Sequence, residues 1–493
     1  MDLNVKVLNG AFISAFAKLL SKVIGVVSTL VLARLLAPEE FGLIAIVSIT
    51  LYFFDILSNS ASEQYIIQKT SVSRGDLNSA WTLNLALKCL CCFCFISASH
   101  FISLFFERPE LKTAFIVSSL ILILNSLKSP SFVLLRRQLR FAVLFRLTLI
   151  ERILVFPILI VLAFYLRSFW AFIVADLIAS CIAVLLSYYV IKRPPSFSLV
   201  GVSRQWYFSK WMLIKNVVGY VRAQIDTILV SKVFAPSLLG NYHMAREISM
   251  MPAHFFLAPA LEPLLSAFRR NKKELIKLKK DLAFTVHVVF LFTIPLLIYI
   301  SEFANKVIFV LLGDGWNIAA DILPILSLLF FYWPLMLVIE DYFIVREKVK
   351  VVLIIDLIAL LLIAITLIVC YLSSENIANF AWGRGVAGLG VALTILIIVL
   401  RDSFHELLRI FATTLCQVFA SFAAINLSKA VLAFVYRWDT TNLGEYMLLF
   451  TLETLLFFLL YFLTVSAGYV FLPFQFGVRL RKMVIQTFKE FRG

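Results

Sequence analysis

The sequence predicts an all-α polytopic membrane protein built from two homologous helix bundles, and three observations carry that prediction. Apolar residues make up 62% of the chain and charged residues 15%, with 47 phenylalanines, more apolar side chain than the core of a soluble domain can enclose. Charges, prolines and polar clusters cut the chain into about fourteen apolar stretches, each near the ~20 residues that a helical crossing of the bilayer needs. A ten-residue motif occurs twice. Ala33-Arg34-Leu35-Leu36-Ala37-Pro38-Glu39-Glu40-Phe41-Gly42 is matched, at a constant offset and without a gap, by Ser231-Lys232-Val233-Phe234-Ala235-Pro236-Ser237-Leu238-Leu239-Gly240. Each copy ends an apolar run with a cation, turns at Ala-Pro and opens a second run at Gly. Duplicated bundles of this kind are the material of transporters that rock about a central site.

Met1 to Val7 carries Asp2 and Asn4, and the long run after it has no small-residue cleavage site, so a retained first span is expected rather than a signal peptide. Span 1 falls near residues 8–33. Span 2, near 39–64, opens with Glu39 and Glu40, carboxylates suited to capping a helix N-terminus. Spans 3 to 6 fall near 77–105, 111–135, 141–164 and 167–191. Spans 7 and 8, near 209–233 and 237–267, repeat the arrangement of spans 1 and 2. Spans 9 to 12 follow near 281–311, 318–345, 349–373 and 377–400, and spans 13 and 14 near 406–436 and 443–474. Pro130, Pro252, Pro259, Pro263, Pro324 and Pro334 predict kinks. Gly383, Gly385, Gly388 and Gly390 predict close helix contact.

Loop charge orients this layout. With a cytoplasmic N-terminus, the cytoplasmic face receives Lys6, Lys69, Arg74, Arg136, Arg137, Arg140, Arg146, Lys192, Arg193, Arg204 and Lys210. It also receives the run Arg269 to Lys280, then Arg346, Lys348, Lys350, Arg401, Arg409 and the tail cations from Arg479 to Arg492. The opposite face keeps Arg34, Arg108, Lys112, Arg167, Lys232, Lys306, Arg384 and Arg437. This asymmetry is the positive-inside rule with both termini cytoplasmic. It also accounts for the net charge of +16 through the anionic leaflet, so no nucleic-acid partner is expected. Arg269 to Lys280 reads as a membrane-surface linker helix between two spans.

Seven cysteines give no framework. Cys89, Cys91, Cys92 and Cys94 contain C-x-x-C spacings but lie in an apolar span without a nearby His, and read as small apolar filler. No metal, cofactor or redox chemistry is expected. The extramembrane segments are too short for a soluble catalytic domain and no Walker A sequence is present, so the chain is not expected to be an enzyme.

A charge inside a span costs roughly 2.5 to 3.5 kcal/mol at mid-bilayer unless it faces water or a partner, which makes such charges the candidates for function. Span 1 carries Ser14, Lys18, Ser21, Lys22, Gly25 and Thr29 on one helical face. Span 7 carries Lys215, Gly219, Arg222 and Asp226 in a similar stripe. Span 2 offers Tyr52, Asp55, Asn59, Ser62 and Glu63, and span 8 offers Asn241, Tyr242, Arg246, Glu247 and His254. These four helices flank the duplicated motif and are expected to face a shared cavity. The candidate substrate-binding residues are Lys18, Lys22, Asp55, Asn59, Glu63, Lys215, Arg222, Asp226, Arg246 and Glu247. Structural roles compete with this reading. Arg222 and Asp226 are spaced for an ion pair on one helix, and Arg246 could pair with Asp55 or Glu63. Packing is weighed above substrate contact for Asp55, Glu151, Arg152, Asp176 and Asp356, and the reverse for Lys18, Lys22 and Arg222. His254 reads as a satisfied helix histidine.

The run Ala33 to Gly42 is followed by Asp55-Ile-Leu-Ser-Asn-Ser-Ala-Ser-Glu-Gln-Tyr-Ile-Ile-Gln-Lys69 and by Asp76-Leu-Asn-Ser-Ala-Trp81. This order resembles the N-terminal third of polysaccharide flippases in the multidrug/oligosaccharidyl-lipid/polysaccharide exporter superfamily, in the branch handling O-antigen and exopolysaccharide intermediates. Leu135 to Phe141 resembles that branch's loop after span 4, and Tyr220 to Ala245 resembles its second half. The similarity covers residues 5 to 270. Ala37 departs from the pattern, where Gly is frequent before Pro, as does Ser58-Asn59-Ser60, where an apolar Gly-containing stretch is common.

The resemblance implies an N-terminal lobe of spans 1 to 6 (1–207), a C-terminal lobe of spans 7 to 12 (208–402), and appended spans 13 and 14 with a basic tail (403–493). It implies a polyprenyl-pyrophosphate-linked oligosaccharide as substrate, moved to the outer leaflet of a bacterial inner membrane by alternating access. Lysine and arginine in a cavity suit a pyrophosphate. The expected partners are that lipid-linked saccharide and the bilayer, with a coupling ion (H+ or Na+) and polysaccharide assembly proteins left open. The alternatives are a cation-coupled multidrug antiporter of the same superfamily, which would prefer carboxylates in span 1, and a membrane-embedded enzyme of glycan assembly.

Overall fold

A computed structural model describes residues 3–59, 65–67, 69, 71–138, 140–190, 194–373, 376–435 and 443–471. The regular structure of these residues is helical, with no strand among them. Nine segments of the described residues are long and apolar enough to cross a membrane. Large apolar side chains such as Phe93, Phe101, Tyr165, Leu185, Phe419 and Leu455 stand exposed on their flanks, an arrangement stable only with hydrocarbon as solvent. The chain forms an all-helical membrane protein.

The helices are α1 (Leu3–Leu35), α2 (Pro38–Ser58), α3 (Arg74–Phe105), α4 (Leu111–Ser126), α5 (Phe132–Arg137), α6 (Phe141–Leu166), α7 (Trp170–Val190), α8 (Val202–Val233) and α9 (Pro236–Pro252). After them come α10 (Ala258–Leu261), α11 (Leu264–Arg270), α12 (Leu275–Leu312), α13 (Asn317–Val345), α14 (Val349–Ser373), α15 (Ile377–Leu400), α16 (Phe404–Val435) and α17 (Leu443–Phe471). Local chemistry sets their ends. Pro38 occupies the first turn of α2, with Glu39 and Glu40 beside it, where a missing N–H costs nothing and a carboxylate is favoured. A capping box opens α3: Ser73 Oγ accepts from the Asp76 amide at 3.2 Å, and Asp76 Oδ2 accepts from the Ser73 amide at 2.9 Å.

Four elements depart from the sequence expectation. Span 4, expected near 111–135, is split at residues 127–131 into α4 and α5. Helix α2 stops at Ser58 because Asn59 turns extended (φ −78, ψ 102), while the Ser58 hydroxyl donates back to the Asp55 carbonyl at 2.7 Å. Span 8 is broken. A π-turn (Ala253–Leu257) follows α9, then the short α10, then α11, because Pro252, Pro259 and Pro263 remove successive backbone donors. The basic run Arg269 to Lys280 is not a separate surface helix. It closes α11, turns over residues 271–274, and enters α12, whose Leu278 and Leu282 are fully buried and draw the segment into the packed helix. Asn271 Nδ2 donates across this turn to Asp281 Oδ2 at 2.5 Å.

The chain divides into two compact units, Met1–Met244 with Leu312–Gly315, and Ala245–Leu311 with Trp316–Gly493. In the first, α1 packs on α6, α6 and α4 on α7, and α2 on α3, α4 and α8. Phe54, Phe95 and Phe115 form a continuous aromatic contact, with centroids 4.4 and 5.7 Å apart. In the second, α13 packs on α15 and α15 on α14, and α16 packs on α17. A β-carbon at Gly383 would lie 2.7 Å from Cys370 Sγ, and one at Gly385 2.9 Å from Leu328 Cδ1, whereas Gly390 has nothing within 4 Å. Both closing helices are tied to α12: His287 Nδ1 lies 3.1 Å from Thr413 Oγ1 on α16, and on α17 Glu453 pairs with Lys306 at 2.8 Å while the Tyr461 hydroxyl donates to the Leu291 carbonyl at 2.9 Å. His254 meets Trp333 edge-on at 5.6 Å.

Candidate functional site

The duplicated motif packs against itself. A β-carbon built on Gly42 would lie 2.0 Å from the carbonyl oxygen of Pro236, and one built on Gly240 would lie 1.7 Å from the carbonyl oxygen of Pro38. The first turns of α2 and α9 thus cross through a reciprocal pair of Gly-on-Pro contacts, as small residues allow in membrane helices. Two further links hold the same end, and one holds the middle of α2. Glu40 Oε2 accepts the Phe169 amide at 2.5 Å, so this carboxylate serves the entry of α7 rather than its own helix. The Tyr220 hydroxyl on α8 donates to the Ile49 carbonyl on α2. Lys232 pairs with Glu107 at 2.5 Å and stands 5.5 Å from the Phe105 ring. That ammonium holds the Glu107 carboxyl below its ordinary value of 4.5.

Away from the motif, the end of α2, the first turns of α3, the end of α4 and α5 enclose a polar cavity of about 370 Å³. Asp55 reaches it from α2, Asn59 from just past its end, and Asn84 and Lys88 from α3, while Asn125, Lys128 and Ser129 come from the end of α4 and the turn after it. Trp81 completes the wall one turn before Asn84. Lys88 is only 8% exposed, and its ammonium pairs with Asp55 Oδ1 at 2.5 Å. Burial of such a charge is tolerable because the carboxylate replaces water.

The walls are fixed from outside. Arg137 donates to the carbonyls of Ile66 at 2.7 Å and Lys69 at 2.5 Å, and Lys69 pairs with Asp76 at 2.5 Å. These bonds fix Lys69 and Ile66, the latter lining the cavity, and give Arg137, within the Leu135 to Phe141 motif, a structural task. The Ser129 amide donates to Ser187 Oγ at 3.0 Å, and the Tyr188 hydroxyl donates to the Leu127 carbonyl at 2.9 Å.

Of the residues singled out in the sequence, Asp55 and Asn59 share this cavity. Asp55 is engaged by Lys88, the partner that the sequence reading sought in Arg246. Asp226 is fully buried on α8 and accepts the Tyr242 hydroxyl at 2.9 Å. Lys22 and Arg222 are half-buried on α1 and α8. Arg246 is half-buried and Glu247 exposed on α9, both in the second unit. Glu63 lies outside the described residues, as do the side chains of Lys18 and Lys215. Asn84, Lys88, Asn125 and Lys128 were missed, because attention to the repeat leads to spans 1, 2, 7 and 8. The signal was present: Trp81, Asn84 and Lys88 recur at three and four residues in an otherwise apolar span.

Residues 31–321 match the polysaccharide biosynthesis protein family. The chain is 25% identical to the lipopolysaccharide biosynthesis protein WzxC of Escherichia coli over 67% of each chain. It is 20% identical to the teichuronic acid biosynthesis protein TuaB of Bacillus subtilis over 66% of this chain and 68% of that one. Among solved structures, the lipid II flippase MurJ in an inward closed conformation superposes with a TM-score of 0.75 at 16% identity, covering 94% of this chain and all of the other. An inward-facing multidrug resistance transporter of the MATE family superposes with a TM-score of 0.56 at 12% identity, over 80% and 95% of the two chains. These superpositions show a shared fold.

Proposed function

Since the chain belongs to the polysaccharide biosynthesis protein family, we propose that it flips a polyprenyl-pyrophosphate-linked oligosaccharide from the cytoplasmic to the outer leaflet of a bacterial inner membrane. Both termini are then cytoplasmic, and the chain acts as a transporter rather than an enzyme. The lobes are 1–207 and 208–402, with 403–493 appended. Lys18, Lys22, Lys215 and Arg222 are assigned to the pyrophosphate, and Asp55, Asn59, Glu63, Asp226, Arg246 and Glu247 to sugar hydroxyls or to ion pairs that shape the path.

The observation that supports this reading most is the polar cavity of about 370 Å³ walled by apolar membrane helices. Its amides, carboxylate and cations have no use to a lipid chain and suit a hydrophilic headgroup. The cation-coupled antiporter is the weaker reading, because α1 carries Lys18 and Lys22 in its polar stripe where that chemistry prefers carboxylates.

Complementation tests the proposal. In a strain lacking its own flippase, expression of the chain restores surface polysaccharide and clears the accumulated lipid-linked intermediate. Continued accumulation with normal protein level would overturn it.

A further inference from the structure

Resting on the flippase reading, we infer that the cavity between α2, α3 and α4 is a recognition pocket for a sugar ring of the substrate, separate from the residues assigned to the pyrophosphate.

The chemistry of the wall points to a hydroxyl-rich ligand. Of the two cations in the lining, Lys88 and Lys128, Lys88 is neutralised by Asp55 at 2.5 Å and spent within the wall, which leaves less positive charge than a pyrophosphate calls for. The pair presents an acceptor and a donor side by side, the arrangement that one sugar hydroxyl satisfies by donating to the carboxylate and accepting from the ammonium. Asn84 and Asn125 each add an amide that both donates and accepts. Trp81 lines the same cavity, its indole buried and set 5.4 Å from the Phe197 ring.

A second observation is independent of this donor set. Trp81 Nε1 and Ser129 Oγ are buried in the wall and have no hydrogen-bond partner among the described residues. A buried polar atom left without a partner is destabilising, and two beside one cavity indicate a polar occupant. The volume of about 370 Å³ falls within the roughly 300 to 1,000 Å³ typical of small-molecule sites.

The pocket explains a division of labour. Cations on α1 and α8 would bind what all polyprenyl-pyrophosphate substrates share, and this pocket would bind what distinguishes them. The test measures affinity of the purified full chain in nanodiscs for two probes: polyprenyl pyrophosphate without sugar, and polyprenyl-pyrophosphate-linked saccharide extracted from the native host. Trp81→Phe keeps an aromatic ring and removes the donor, and Asn84→Leu removes the amide. Both variants are first checked for wild-type elution and thermal unfolding.

We expect each variant to lose affinity for the sugar-bearing lipid at least tenfold while binding the bare lipid as the wild type does. Equal affinities of wild type and variants for the sugar-bearing lipid would overturn the pocket, as would a parallel loss for both lipids. A wild-type chain that binds neither lipid would overturn the flippase reading together with the pocket.

Discussion

Gly42 on α2 lies so close to Pro236 on α9 that a β-carbon would come within 2.0 Å of the proline carbonyl, and Gly240 stands in the same relation to Pro38 at 1.7 Å. The repeat visible in the sequence is therefore a contact in the structure, each copy supplying the glycine that the other copy's turn requires.

Alanine at either glycine prevents this approach, because the obstructing atom is backbone and cannot swing away. Gly240→Ala is expected to keep normal expression yet lower complementation at least tenfold, with Gly42→Ala doing the same. Full activity of both variants would mean that the contact is dispensable.

The Lys88–Asp55 pair makes a charge prediction. Lys88→Met leaves the Asp55 carboxylate without its partner and should destabilise the protein by about 3 kcal/mol, near the low end for a buried pair because Asp55 is partly exposed. Adding Asp55→Asn should recover most of that loss, read as the unfolding midpoint in detergent. A double variant no more stable than Lys88→Met would contradict the pairing.

Much of this was legible in the chain. Apolar run lengths located the helices because the bilayer fixes how long they must be, so α14 and α15 match their expected bounds of 349–373 and 377–400. The motif was legible because it occurs twice at a constant offset, although the contact between its copies that requires the two glycines was not. The cavity was not, since Asn84 and Asn125 are far apart in sequence and share it only through packing of α3 on α4. The break at Asn59 was also hidden, because Asp55, Asn59 and Glu63 fall on one helical face and read as a continuing polar stripe.

Lysine charge on α1 should matter more than size. Lys22→Gln is expected to abolish complementation at normal protein level, while Lys22→Arg retains partial function. Equal activity of the Gln variant would remove Lys22 from the pyrophosphate site.

Acid should loosen the motif end. The Glu107 carboxyl is held below its ordinary 4.5 chiefly by its hydrogen bond to Lys232. A lowered value means that the pair contributes fully above the ordinary carboxylate range and is lost as pH falls through the lowered value. Hydrogen exchange at residues 106–110, corrected for intrinsic rates, should therefore be constant from pH 7 to 5 and rise in stronger acid. Glu107→Gln should show the raised level already at pH 7, and unchanged exchange in that variant would contradict the tether.

The central claim is that the chain moves lipid-linked saccharide by parting and closing the two copies of the motif, as rocking repeats do. The most direct measurement uses proteoliposomes containing polyprenyl-pyrophosphate-linked saccharide and a chain with cysteines at Pro38 and Pro236 in a background without native cysteines. Flipping is read from exposure of the sugar to an impermeant reagent. The disulfide is expected to form readily, flipping to stop while it is closed, and reduction to restore the rate. Flipping at the full rate by the crosslinked protein would contradict the claim.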